Sequence, residues 1–118
     1  MRTVSLNDKT PESDRRELEA ILDKFQKRFP DKRLLALQLD GFSHRVIYDD
    51  VPKTPKAHAI DVSFCMGQWE ELEHAKAAGR DVRLQKLARD FLADAGFNGH
   101  LSYQGNPKEI IFVEPEDR

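Results

Sequence analysis

Residues 33–41, RLLALQLDG, predict a strand that ends in a tight turn. Leu35, Leu37 and Leu39 occupy alternate positions. Alternate side chains of a strand lie on the same face, so these three leucines are expected to share one face. The pair Asp40-Gly41 is typical of a two-residue hairpin turn, because both positions tolerate a positive φ. Residues 42–48 therefore predict the returning strand, with one apolar face made by Phe42, Val46 and Tyr48.

A helix is predicted before this hairpin. Thr10-Pro11 suits a helix start, since threonine caps the first turn and proline tolerates its first position. The apolar residues that follow recur at helical spacing and form one stripe: Leu18, Ile21, Leu22, Phe25 and Phe29. Pro30 disfavours helical geometry at the residue before it, so the helix is expected to end near Phe29.

The second half of the chain predicts a loop, a strand, two helices and a hairpin. Residues 49–56, DDVPKTPK, predict a loop, and residues 58–64 predict a third strand with alternating apolar positions. A helix is expected over 67–78, with Trp69 and Leu72 as its apolar anchors. Another is expected to run to Ala95 after an N-cap at Asp81, and each is followed by a glycine that suits a helix end. A C-terminal hairpin is expected from strands 97–103 and 109–113.

The predicted element order is α-β-β-β-α-α-β-β. A mostly antiparallel, five-stranded sheet with the helices packed on one face buries these apolar faces together, which gives an α+β fold. A length of 118 residues fits one domain, over 1–118. Residues 114–118 are expected to be a flexible tail, and residues 1–9 a flexible tail or a short edge strand.

Composition excludes several classes of protein. Charged residues make up 34% of the chain, but the net charge is only −2, so no global attraction to nucleic acid or anionic lipid is predicted. Cys65 is the single cysteine, which excludes an intrachain disulfide. No signal peptide and no membrane-spanning run is present in the sequence, so we expect a cytoplasmic protein without membrane contact.

No motif of known chemistry is assembled in the sequence. The four histidines lack metal-ligand spacing, and neither a phosphate-binding glycine motif nor a nucleophile elbow occurs. We therefore predict no catalytic residue, no metal and no cofactor. The weakest alternative is a small enzyme with a site near Cys65, His74 and Glu70, because Cys65 precedes a predicted helix start, where a thiol becomes more acidic.

Two stretches are candidates for partner contacts. The prolines of residues 52–56 satisfy the PxxP pattern, so the candidate partner-binding residues are Pro52, Lys53, Thr54, Pro55 and Lys56. A basic face of the last helix supplies the alternative, a nucleic-acid-binding protein that uses Arg80, Arg83, Lys86 and Arg89. Acidic residues interleave with this face, so a protein partner, including a second copy of the chain, is favoured over nucleic acid.

The function predicted from the sequence is therefore a non-enzymatic partner-binding or regulatory module. Exposed edges of an antiparallel sheet support this hypothesis, since they can pair with a partner's strand. The order of one helix, three strands, one helix and two strands resembles the architecture of type III secretion chaperones. The resemblance implies an acidic, dimeric protein that binds other proteins.

Overall fold

The structure is a computed structural model that describes residues 2–5, 12–51, 56–100 and 107–112. It contains three helices: α1 (Glu12–Arg28), α2 (Gln68–Ala77) and α3 (Val82–Asp94). Its strands are β1 (Arg2–Ser5), β2 (Lys32–Asp40), β3 (Ser43–Asp50), β4 (His58–Ser63) and β5 (Lys108–Ile111). The α+β class with three helices and an antiparallel sheet is confirmed.

The strand order of the sheet is β1-β5-β2-β3-β4. Four strands, β5-β2-β3-β4, pair antiparallel, whereas β1 pairs parallel with β5 at the edge. The predicted element order α-β-β-β-α-α-β-β is therefore wrong, because a strand precedes α1 and a single described strand follows α3. Residues 2–5 form an edge strand, which was one of the two expectations for residues 1–9. Residues 97–100 form no strand, and the rest of the predicted strand 97–103 lies outside the described residues.

Local chemistry explains the turns and helix ends. Gly41 adopts a φ of 57° in the β2–β3 turn, a conformation that is strained for residues with a Cβ. Gly79 does the same at 72° after α2, where a left-handed residue ends the helix. The Asp81 carboxylate accepts hydrogen bonds from the backbone N–H groups of Arg83 and Leu84, which confirms it as the N-cap of α3.

One core lies between the sheet and two of the helices. Helices α1 and α3 contact the sheet and each other, whereas α2 packs mainly on α3. The buried apolar side chains form a single cluster: Leu18, Ile21, Phe25, Phe29, Leu34, Leu37, Leu39, Val46, Tyr48, Val62, Ala88, Phe91, Leu92, Phe97, Ile110 and Phe112. The predicted stripe of α1 is thus confirmed at four of its five positions, and the fifth, Leu22, is partly buried against the same cluster.

A β-bulge changes which leucines of β2 face the core. The pairing of β2 with β3 shifts register between Leu34 and Ala36, and an inserted residue reverses the alternation of the strand. Leu34, Leu37 and Leu39 are therefore the buried residues, and Leu35 is only half-buried. The sequence pattern alone could not show this shift, because the residue types do not indicate which position of the strand is the inserted one.

Two predicted apolar anchors lie at the surface. Phe42 is 43% exposed in the β2–β3 turn, and His44 occupies the buried position that the returning strand provides. Trp69 is 78% exposed on α2, although it was expected to anchor this helix. The buried residues of α2 are instead Glu71 and Ala75. Glu71 is paired there with Gln85 and Arg89 of α3.

Candidate functional site

The face of the sheet opposite the core, here called the outer face, carries two rows of side chains in register across four strands. The polar row is Glu109, Gln38, Arg45 and Asp61, and the apolar row is Ile111, Ala36, Ile47 and Ala59. In the polar row, the Gln38 amide donates to Glu109 at 2.8 Å. Arg45 donates to both carboxylate oxygens of Asp61, at 2.6 and 3.2 Å. The outer face therefore combines an internally bonded polar row with a half-buried apolar row.

A groove of about 450 Å³ opens at one margin of the outer face. The strands β2, β3 and β4 supply one wall, which includes Asp40, Arg45 and Asp61. The segment from Met66 to Arg80, which contains α2, supplies the other wall. This volume lies in the range of small-molecule sites in proteins, about 300–1,000 Å³.

His44 lines the groove and is the most unusual side chain in it. It is only 2% exposed, and neither ring nitrogen makes a hydrogen bond of acceptable geometry in the described part of the chain. Burial lowers its pKa, because a low-dielectric surrounding disfavours the charged ring, and polar backbone groups of Gly99 and Ser43 oppose this only partly. His44 is therefore neutral at physiological pH, with one N–H donor and one acceptor nitrogen unsatisfied.

A buried polar network holds α2 against α3 behind the groove. The Gln85 amide nitrogen donates to Glu71 Oε1 at 2.6 Å and to the Asp61 carbonyl at 2.7 Å. Arg89 forms an ion pair with Glu71 and donates to the carbonyl oxygens of Ser63 at 3.3 Å and Met66 at 3.2 Å. Because these groups satisfy one another, they can be buried at low cost. The network fixes the wall of the groove that α2 provides.

The same contacts cover part of the edge of β4. As the last strand of the sheet, β4 has one side without a neighbouring strand. The carbonyls of Asp61 and Ser63 accept hydrogen bonds from α3, so they are no longer available to a partner's strand. This part of the β4 edge is therefore engaged by α3, and the expectation that exposed sheet edges provide the binding surface stays a prediction.

The charges in the groove divide into paired and unpaired groups. Arg45 pairs with Asp61, and Glu71 pairs with Arg89. In the described ranges, no side-chain ion pair or hydrogen bond engages Asp40, His74 or Arg80, and all three are exposed. The groove therefore offers one unpaired carboxylate and one unpaired guanidinium, together with an accessible and a buried imidazole.

The candidate residues predicted from the sequence are dispersed. Pro52, Lys53, Thr54 and Pro55 lie outside the described residues, and Lys56 is exposed.

The predicted basic face of α3 is not uniform. Arg80 and Arg83 are exposed, whereas Lys86 bonds to Asp90 at 2.9 Å and the Arg89 side chain is only 13% exposed in its pair with Glu71.

The thiol proposed for the enzyme alternative is next to the groove but is not one of its lining residues. Cys65 is exposed and lies 2.8 Å from the Ser63 hydroxyl, whereas His74 lines the groove.

A second charged cluster lies where β2 begins and β3 ends. Lys32 donates to Asp50 at 2.8 Å, and Asp50 in turn lies 3.3 Å from His58. The hydrogen bond with Asp50 raises the pKa of Lys32, and the same bond lowers the pKa of Asp50. Burial raises the pKa of Tyr48, whose ring lies 5.1 Å from the Lys32 ammonium. These groups pair with one another, so this cluster stabilises the end of the sheet.

The sequence analysis missed the residues that define the groove. Period-two alternation with Val46 and Tyr48 could have placed His44 on the core face. Helical spacing with Ala88 and Leu92 could likewise have placed Gln85 on the buried stripe of α3. No local signal indicates Glu71, since α2 lacks an apolar period of its own.

Comparisons with known proteins add no further assignment. No protein-family model, curated protein or solved structure matches this chain. The resemblance to type III secretion chaperones depended on an element order that the structure does not show, since a strand precedes α1 and a single described strand follows α3. Within the described residues, no group of three or more potential ligands could hold a metal ion, and no helix is long and apolar enough to cross a membrane.

Proposed function

We propose that the protein is a non-enzymatic binding module that recognises a partner protein through the outer face of its sheet. The observation that carries this proposal is the apolar row. Ile111, Ala36 and Ile47 lie side by side in register and are only half-buried, although a core was available on the other face. A contiguous apolar strip bordered by polar side chains is the usual composition of a protein interface.

The polar row supports the same proposal. Arg45 and Asp61 already neutralise each other, and Gln38 already bonds to Glu109. A partner that covers the outer face would therefore bury few unpaired charges, and burying an unpaired charge is the largest cost of forming an interface.

The size of the outer face favours a transient complex. Four strands about 4.8 Å apart, with about six residues each at roughly 3.4 Å per residue, span on the order of 400 Å². A stable interface buries roughly 800 Å² on each partner, whereas weak encounters bury less. We therefore favour a separate partner with an apolar strip and a polar rim over a stable homodimer.

Nucleic acid is the weaker candidate. Two of the four residues proposed for that contact, Lys86 and Arg89, are engaged in ion pairs with Asp90 and Glu71. Each phosphate contact would have to replace or compete with such a pair. If phosphate contacts nevertheless dominate, binding to mixed DNA or RNA would fall steeply as the salt concentration rises.

Site-specific photo-crosslinking tests the proposal. A photoreactive phenylalanine analogue is placed at Ile47 on the outer face and, as a matched control, at the exposed Glu17 of α1. We expect one discrete adduct from position 47, none from position 17, and loss of binding by the purified partner when Ile111→Lys is introduced. No adduct, or equal adducts from both positions, would refute an interface at the outer face. An adduct of twice the chain mass would show that the partner is a second copy.

A further inference from the structure

The solvent side of α2 presents a large aromatic side chain. Trp69 is 78% exposed there, and Leu72, one turn later, is half-buried. The residues that α2 buries, Glu71 and Ala75, lie on the other side of the helix, since Trp69 is rotated about 160° from Glu71 at about 3.6 residues per turn. Tryptophan is enriched among the few residues that supply most of the free energy of protein interfaces. Trp69 is therefore available to a partner and not to the protein's own core.

Two carboxylates flank Trp69 on this side of the helix. Glu73 lies at i,i+4 from Trp69, a spacing that puts the two Cβ atoms about 5–6 Å apart, and Glu70 is the next residue along the chain. Both glutamates are exposed, and neither forms an ion pair within the described residues, although His74 lies at i,i+4 from Glu70. The two carboxylates beside Trp69 can therefore pair with a cation that a partner supplies.

These groups restrict the chemistry of the partner. A cation over the face of a tryptophan ring is attracted by the charge distribution of the ring. The planar guanidinium of arginine also stacks on such a ring while its N–H groups bond to a carboxylate. One arginine side chain is therefore suited to contact Trp69 and Glu73 together. The two carboxylates would repel the phosphate groups of nucleic acid or of anionic lipid.

The size of this helix surface favours a short segment over a second copy of the chain. The ten residues of α2 extend for about 15 Å, and a helix about 10 Å wide then presents on the order of 150 Å². A stable interface buries roughly 800 Å² on each partner, so this surface alone does not hold a dimer together. Contacts of Glu71 with Gln85 and Arg89 fix α2 from behind, so the surface is formed before a partner arrives.

We propose that the exposed face of α2, made by Trp69, Glu70 and Glu73 and here called the α2 face, docks an arginine-containing linear segment of a partner protein. The guanidinium stacks on Trp69 and pairs with Glu73, and Glu70 attracts further basic residues of the segment. The α2 face is separate from the outer face of the sheet, because its residues belong to neither row and do not line the groove. The two faces therefore bind independently.

Fluorescence titration of the full chain tests the proposal, because Trp69 is the only tryptophan and its emission reports on the α2 face alone. The probes are three peptides of equal length: hexa-arginine, hexalysine and hexaglutamate. We expect a saturable change of emission with hexa-arginine, binding of hexalysine that is weaker by about threefold or more, and no change with hexaglutamate. Absence of a saturable change with hexa-arginine, or equal affinity for hexalysine, would overturn the proposal.

Matched substitutions, measured by isothermal titration with hexa-arginine, locate the contact. We expect Trp69→Ala and Glu73→Gln each to weaken binding by about fivefold or more. The controls Phe42→Ala, at an aromatic residue 43% exposed elsewhere, and Glu17→Gln, at an exposed carboxylate of α1, should leave it unchanged. Equal losses from Glu73→Gln and Glu17→Gln would indicate general charge attraction and overturn the assignment. Thermal denaturation without peptide verifies that each variant is folded.

Two further measurements separate this site from other occupants and from the outer face. Ile111→Lys, which disrupts the apolar row, should bind hexa-arginine as the wild type does, so that a failure of either face is seen by itself. Loss of peptide binding in this variant would overturn the independence of the two faces. Without peptide, the emission of Trp69 should not depend on protein concentration. A concentration-dependent shift would show that a second copy covers Trp69, and would overturn the proposal.

Discussion

Replacing the buried His44 with leucine is expected to stabilise the protein. Leucine has a similar volume and no polar atom, so the substitution removes two unsatisfied nitrogens from a position that is 2% exposed. An unsatisfied buried polar group costs about 1–3 kcal/mol, and part of any gain is offset by imperfect packing of the new side chain. We therefore expect His44→Leu to raise the free energy of unfolding by about 1–2 kcal/mol near neutral pH.

The gain in unfolding free energy from His44→Leu should increase as the pH falls. Burial holds the pKa of His44 below its ordinary value in the folded protein, so the unfolded chain binds more protons in this range. The wild-type protein consequently loses stability as the pH falls below about 6.5, by at most about 1.4 kcal/mol per unit, until the folded-state pKa is passed. His44→Leu lacks this loss. The backbone groups of Gly99 and Ser43 and the carboxylate of Asp40 raise the pKa of His44 and so reduce this loss of stability.

Urea denaturation of the two proteins at about pH 8, 7 and 5.5 measures this difference directly. The control is His74→Gln, which replaces an exposed imidazole of the same groove. Destabilisation by His44→Leu at every pH, or parallel pH profiles for it and the wild type, would refute the reasoning. Destabilisation would mean that His44 makes contacts worth more than the cost of its nitrogens, and parallel profiles would mean that folding does not lower its pKa.

Three further predictions concern the core, the network and the surface. Phe25→Ala should cost about 3–5 kcal/mol in urea denaturation, because this ring is 1% exposed and contacts two other core rings; an unchanged midpoint would contradict the packing of α1 on the sheet. Glu71→Ala should cost about 3–5 kcal/mol by leaving Arg89 unpaired, and adding Arg89→Met should recover part of this loss; additive losses in the double-mutant cycle would exclude coupling. Trp69→Ala should change stability by less than about 0.5 kcal/mol, and tryptophan emission should shift little on unfolding; a large blue shift in the native state would place Trp69 in an apolar contact.

The local elements were predictable because their signals are short in range. The stripe of α1, the turn at Asp40-Gly41 and the cap at Asp81 each follow from residues a few positions apart, and the structure shows all three. Helical periodicity, a positive φ and N-cap hydrogen bonds depend on one segment of chain. Such features require no knowledge of which element lies next to which.

The candidate site depends on contacts between distant segments. The groove forms only because α3, through Gln85 and Arg89, fastens the segment from Ser63 to Glu71 beside β4. These partners are separated by up to 26 positions in the sequence. The sequence of a charged helix also does not indicate which of its glutamines or arginines will be buried. The same limit applies to Trp69, whose apolarity predicted burial although no neighbouring element covers it.

The sequence by itself determined the class of the fold, most of its helices and strands, and the absence of an intrachain disulfide in a chain with one cysteine. The tertiary structure decided the strand order, the register shift at Leu35, the burial of His44 and the pairing that removes Arg89 from the basic face. The physical reason is that the free energy of a polar side chain depends on its partners. Those partners are brought together only when the helices pack on the sheet and on one another.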